Sequence, residues 1–203
     1  MMNKELFNKV DKILTDSMKP SEDIMRLIES REFDKEPFNQ IKKLDEIEQN
    51  PKYHPEGSVL KHILLVVDEA SKVKDKSKDK RAFMWGALLH DIGKLTTTRI
   101  RKNRITSYNH DFEGEKLATE FLDKLTDDKQ FILNVSKYVK WHMQPLFFDK
   151  NLPFFKPKDM LNDVEYKEIA LISYCDRLGR GGMTPDIKEL EKGRIKKFYE
   201  HFS

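Results

Sequence analysis

Five helix-patterned segments of this chain each turn an imidazole or a carboxylate toward the face that carries their apolar residues. His62 follows Val59 by three positions and precedes Val66 by four. His90 falls three after Ala87 and seven after Phe83, and Asp91 three after Leu88 and seven after Met84. His110 shares a face with Gly114, Leu117 and Phe121. His142 lies three after Val139 and seven after Val135, and Asp176 four after Ile172 and seven after Ile169. In a helix these spacings put residues on one side. That side packs inward, where an unpartnered polar group is costly and a charge is paired or bound to metal. One inward histidine is an ordinary core residue satisfied by a hydrogen bond. Five such segments in one chain call for a common partner, and a fold that gathers their faces would supply it.

The remaining pattern is also helical. Leu6, Val10, Ile13 and Leu14 form one stripe, and Ile24, Leu27 and Ile28 a second, with Ser21 as the expected N-cap. A third helix is expected over 37–51, stopped by Pro51. Ser58 should cap a helix running to about Val73, and "KVKDKSKDKR" reads as a solvated turn. Helices are further expected over 79–90, 111–125, 129–142, 165–178 and from Asp186 to the end. The β-branched stretch "TTTRIRKNRITSY" reads as a small β-hairpin turning at "RKN". The run 144–160, with three prolines and four phenylalanines, reads as a long loop. The fold class expected is all-α, a helical bundle with a small β-hairpin insertion. Residues 1–50 are read as N-terminal helices packing on a core formed by 51–203, the whole making one compact domain.

Composition narrows the functional classes. Lys plus Arg number 38 against 35 Asp plus Glu, a net charge of +3. That near-balance excludes a general nucleic-acid coat while leaving room for a local basic patch. The single cysteine, Cys175, excludes an internal disulfide framework and suits a reducing compartment. The longest aliphatic run, "ILLVV", is far short of the roughly 20 residues of a membrane span. The charged N-terminus does not read as a signal peptide. A cytoplasmic protein with no membrane partner is expected.

The inward set is mostly imidazole with two carboxylates, a mixture suited to a divalent transition metal rather than calcium. With no cysteine ligands nearby, a catalytic site fits better than a structural zinc knuckle. The ordered pattern of His62, the pair His90–Asp91 in "LLHDIGK", and Asp176 resembles the HD superfamily of metal-dependent phosphohydrolases. "HxxxG" at His110 and "WH" at Trp141–His142 resemble the additional histidines of its two-metal members. "YHPEGSVLKH", "HDIGKLTTT", "RITSYNHDFEG" and "CDRLGRG" together look like the HD region of bacterial CCA-adding tRNA nucleotidyltransferases. That resemblance runs from about Lys19 to Gly182. The glycine–serine turn and paired aspartates of a nucleotidyltransferase head are not found upstream, so nucleotide addition is not expected.

The resemblance implies an all-helical HD fold and one or two divalent ions: manganese, iron, nickel, cobalt or zinc, with magnesium also compatible. His62, His90, Asp91 and Asp176 would hold the first. His110 and His142 would hold a second, bridged by Asp91. Asp91 as a general base is the alternative, and the resemblance favours a ligand. Lys94, one turn beyond His90, would meet a phosphate oxygen or the leaving group; otherwise it is a surface lysine. Arg177 or Arg180 could fork onto phosphate, and Arg180 is preferred because "GRG" follows a helix end and matches the family pattern. His54 would order the start of the His62 helix or line the pocket. His201 is read as exposed, Cys175 as a core residue, and Trp85 as packing. The phenylalanines at 147–155 also read as packing, although their loop could wall the pocket. Removing Asp91 should cost little stability, because a buried carboxylate is relieved of its desolvation.

The expected activity is hydrolysis of a phosphomonoester or phosphodiester on a nucleotide, RNA end or other phosphorylated small molecule. The alternative is an RNA-binding or regulatory HD domain, or the detached tail of a split nucleotidyltransferase, with little turnover. Arg99, Arg101, Lys102 and Arg104 concentrate four charges on the hairpin. If it hangs over the site, Arg101 and some of its neighbours would track a polyanionic substrate. Otherwise they only keep a hairpin solvated.

Overall fold

The computed structural model describes residues 2–203. Two N-terminal helices, α1 (Met2–Asp16) and α2 (Pro20–Glu29), precede a short α3 (Asn39–Lys43). The bundle's centre comes next, α4 (Val59–Ser71), α5 (Lys80–Leu89) and the single turn α6 (Lys94–Thr97). A two-stranded hairpin, β1 (Arg99–Arg101) and β2 (Arg104–Thr106), leads into α7 (His110–Asp123) and α8 (Lys129–Trp141). The chain closes with α9 (Gln144–Asp149), α10 (Pro157–Asp163), α11 (Tyr166–Leu178) and α12 (Pro185–His201). The protein is thus all-α apart from one hairpin. Among the described residues, no helix is long and apolar enough to cross a membrane.

Helix α5 is the axis. Every residue from Ala82 to Leu89 is buried, as expected of a helix walled on all sides; α1, α4, α8 and α11 pack around it. Gly86 permits the closest crossing, since a Cβ there would stand 3.1 Å from both Ile172 of α11 and Tyr138 of α8. Trp85 fills the α1 side, and its indole N–H donates to Asp11 at 2.8 Å. Side-chain caps begin three of the central helices: Ser58 accepts from the Lys61 N–H, Asp79 from Ala82 and Asp128 from Phe131.

Three local expectations need correction. Ser21 does not cap α2, which starts on Pro20; its N–H and hydroxyl instead donate to Asp68 of α4 at 3.1 and 2.7 Å. The helix expected over 37–51 is cut to α3 and one tighter turn at 44–46, because the chain then pairs with the loop before α4. Gln49 N–H donates to Gly57 and Val59 N–H to Ile47. The expected loop 144–160 contains α9 and the start of α10, both opened by proline near their first turn, where its missing N–H costs nothing. Phe148 of α9 packs on Phe155, Phe198 and His201, so these rings bind α9 to α12.

The hairpin turns at Lys102 and Asn103, both at positive φ, the backbone of a tight two-residue turn. Its register pairs Arg99 with Thr106, Ile100 with Ile105 and Arg101 with Arg104.

Candidate metal centre

The C-terminal end of α5 carries His90 and Asp91 into a cluster completed by α4, α7, α8 and α11. Asp91 is 2% exposed, and its two oxygens face different partners. Oδ2 lies 3.4 Å from His90 Nε2 and 3.8 Å from His62 Nε2. Oδ1 lies 3.3 Å from His110 Nε2 and 3.9 Å from His142 Nε2. The ring nitrogens also meet in pairs: His62 and His90 Nε2 are 3.4 Å apart, and His110 and His142 Nε2 are 3.3 Å apart. Asp176 Oδ1 joins the first group, 3.0 Å from His62 Nε2.

Protonation follows from the backbone. Nδ1 of His90, His110 and His142 faces the carbonyl oxygen of Ala87, Ser107 and Val139 at 2.8, 2.8 and 2.6 Å. A carbonyl only accepts, so each Nδ1 carries the proton and each neutral ring turns a lone pair on Nε2 into the cluster. Two lone pairs facing at 3.3 Å repel unless a cation stands between them. Donor separations of 3.0–3.4 Å also match the spacing set by bonds of about 2.1 Å at tetrahedral or octahedral angles. The residues therefore fit a metal ion. Three groups of donors lie close enough to hold one: His62–His90–Asp91 and Asp91–His110–His142, which share Asp91, and His54–Glu56–His62 on the outer side of the His62 ring.

Electrostatics agree. Burial alone would raise the Asp91 carboxyl, but the Lys94 ammonium beside it holds it well below the carboxylate range. Asp176 is likewise raised by burial and more than compensated by the His62 hydrogen bond and the Arg180 charge. Burial drives His110 down to about 3 and lowers His142, keeping both neutral. His62 is pushed down by its own burial, but Asp176 and Glu56 raise it overall.

Glu56 is absent from the expected site. Its Oε1 lies 3.0 Å from His62 Nδ1 and 2.9 Å from His54 Nδ1, and its Oε2 accepts the Gly181 N–H at 2.9 Å. It stands against the His62 ring as a charged neighbour, without a well-aligned hydrogen bond, and ties the loop before α4 to the turn after α11. Gln49, also unanticipated, accepts from Lys94 at 2.7 Å while Lys94 donates to Asp91 at 2.6 Å. Lys94 is thus a buried cation anchored on the carboxylate rather than a surface lysine.

A cleft of about 800 Å³ opens over the cluster, and Asp91, Lys94, His110, His142, Asp176 and Arg180 all line it, with His54 at its edge. One expected substrate contact is corrected and one is narrowed. Arg177 lines the cleft, but it is 2% exposed and its Nη1 is paired with Glu191 of α12, leaving only Nη2 without a partner. Arg101 does not line the cleft. Side chains alternate along a strand, and Ile105, the hairpin residue on the cleft wall, pairs with Ile100. The opposite face therefore carries Arg99, Arg101 and Arg104, and Arg101 rests over the Tyr108 ring at 5.5 Å. The loop after His142 lines the cleft through Met143, Leu146, Lys150 and Leu152 rather than its phenylalanines. Cys175 is buried in the core, its thiol pushed up by burial.

A helical bundle that gathers four histidines and two carboxylates at the base of one cleft is able to hold a divalent ion. Residues 59–178 match the HD domain family, and the chain belongs to that family of metal-dependent phosphohydrolases. It is also similar to two multifunctional CCA proteins of Actinobacillus pleuropneumoniae, from serotype 5b (strain L20) and serotype 7 (strain AP76). Identity to each is 33% over 168 residues, covering 80% of this chain and 40% of the relative. The chain thus spans well under half the length of these relatives.

Proposed function

We propose that the protein is a metal-dependent phosphohydrolase acting on a nucleotide or RNA-end phosphate. The observation that carries this reading is the division of Asp91, with one oxygen toward His62 and His90 and the other toward His110 and His142. His62, His90, Asp91 and Asp176 would hold one divalent ion, and His110 and His142 a second shared through Asp91. Such ions supply Lewis acidity, polarising a phosphoryl oxygen and making water more acidic.

The chain's own groups do the rest. Backbone carbonyls fix the tautomers of three histidines, and Glu56 stands as a charged neighbour against the fourth. Lys94, held by Gln49 and Asp91, brings a positive charge to the cleft wall for a non-bridging oxygen or the leaving group. Arg180 Nε has no hydrogen-bond partner, and its guanidinium is offered to a phosphate of the ligand beyond the one at the cluster.

To test the reading, protein stripped with EDTA is reloaded with manganese, nickel, cobalt or magnesium. It is then assayed on phosphomonoesters and 2′,3′-cyclic nucleotides beside Asp91→Ala. Turnover that returns on loading and disappears in the variant supports it. No turnover with any ion, or undiminished turnover in the variant, overturns it.

A second reading is an RNA-binding or regulatory HD domain, or the tail part of a split nucleotidyltransferase, with little turnover. Two observations favour it: the relatives are multifunctional CCA proteins, and hairpin cations are free of carboxylates among the described residues, Arg99 donating to the Thr98 carbonyl and Arg101 resting over the Tyr108 ring. Tight RNA binding without turnover would select it.

A further inference from the structure

The part of the cleft wall built by α9, α11, α12 and the turns beside them is cationic, and the metal reading leaves most of it unused. It presents Lys150, Arg177, Arg180 and Arg194. Two carboxylates stand among them. Glu191 pairs with Arg177 and Arg194, and Asp149 Oδ2 lies 3.5 Å from Lys150, 3.6 Å from Arg194 and 3.9 Å from Arg177. With Asp176 of α11, which faces Arg180, four cations stand against three acids, a net excess of one positive charge on this wall.

The hydrogen-bond account is also incomplete there. Arg177 is 2% exposed, yet its Nη2 has no hydrogen-bond partner, and neither does the buried Nε of Arg180. A buried guanidinium N–H without an acceptor costs free energy. Asp149 Oδ2, 3.9 Å from Arg177 Nη1, is also without a hydrogen bond but is one acceptor for two guanidinium donors, so the pair lining this cleft leaves room for an anion with further acceptor oxygens, which guanidinium forks match in pairs. The cleft, about 800 Å³, is far larger than one phosphate needs. Its apolar surface from Tyr53, Ile105, Leu146 and Leu152 suits a nucleoside.

We propose that this wall is a second phosphate subsite, separate from the histidine–aspartate cluster, and that the cleft's ligand carries two phosphate groups. The assignment rests on the phosphohydrolase reading for the phosphate at the cluster. The second phosphate is either that of a nucleoside bisphosphate or the internal phosphodiester beside an RNA end.

Binding to metal-free protein tests the subsite apart from turnover. Adenosine 3′-monophosphate, adenosine 3′,5′-bisphosphate and the dinucleotide ApAp are titrated calorimetrically at constant ionic strength in EDTA. The wild-type protein should bind one or both of the doubly phosphorylated probes about tenfold more tightly than the monophosphate. Preference for the bisphosphate assigns the subsite to free nucleotides, and preference for ApAp assigns it to an RNA end. Arg177 anchors α12 through Glu191, so the variants are Arg180→Gln and Arg194→Gln. Arg194 has its ion pairs with Glu191 and Asp149, so its replacement does not depend on Asp176. Each should bring the preference to within about threefold. A wild-type preference near one, or a preference unchanged in both variants, overturns the proposal. Failure of the hydrolysis assay with these ratios intact would reject the enzymatic reading and leave the subsite standing.

Discussion

Replacing Asp91 by alanine in the metal-free protein should unmask how strongly Lys94 depends on it. The sequence alone suggests little cost, because alanine relieves a buried carboxylate. The structure changes that expectation: Lys94 is 8% exposed, and its ammonium is held by Asp91 at 2.6 Å and Gln49 at 2.7 Å. Breaking a buried ion pair by removing one partner costs roughly 3–5 kcal/mol. The remaining hydrogen bond to Gln49 and the open cleft place this case at the lower end, about 3 kcal/mol. For a chain of this length that is a fall in Tm of about 6–12 °C. Lys94→Met removes the stranded charge, so the double variant should recover to within about 1 kcal/mol of wild type. Scanning calorimetry of the four proteins in EDTA measures all of this. Asp91→Ala melting within about 2 °C of wild type, or a double variant no more stable than Asp91→Ala, would refute the reasoning.

Three other perturbations probe separate parts of the molecule. Glu56→Gln keeps an acceptor for Gly181 but removes the charge beside His62, so metal affinity should fall about 10–100-fold by chelator competition; unchanged affinity would remove Glu56 from the site. Gly93→Ala would bring a Cβ to 2.0 Å from the His110 carbonyl oxygen and 2.6 Å from the Gly114 nitrogen. Backbone cannot yield as a flexible side chain does, so a destabilisation of about 3 kcal/mol and weakened metal binding are expected; an unaltered melt would show that α6 and α7 part freely. If the hairpin binds RNA, neutralising Arg101 and Lys102 should lower the salt slope of oligonucleotide binding by about one for each phosphate that either cation neutralises; an unaltered slope would leave the hairpin as a solvated surface.

The six residues of the cluster were legible because each sits on, or at the end of, a helix whose apolar periodicity points it inward. The hairpin was legible because a β-branched stretch is interrupted by "RKN", where Asn103 accepts positive φ readily and Lys102 joins it in the turn. Glu56 was not. It lies in a loop with no periodicity, and its role depends on Gly181, 125 residues away. Arg177 read as a free phosphate ligand because its neutralising partner, Glu191, comes from the next helix and only packing brings them together. Arg101 was misplaced because strand alternation divides a hairpin into two faces without saying which one meets the cleft. Only the cleft wall, with Ile105 in it, decides that.

The central claim is that Asp91 is shared between two metal positions. Anomalous diffraction from crystals of the protein loaded with manganese tests it most directly. Two peaks should flank the Asp91 carboxylate, one among His62, His90 and Asp176 and the other beside His110 and His142. A single peak on one side of Asp91, or no peak within bonding distance of it, would contradict it.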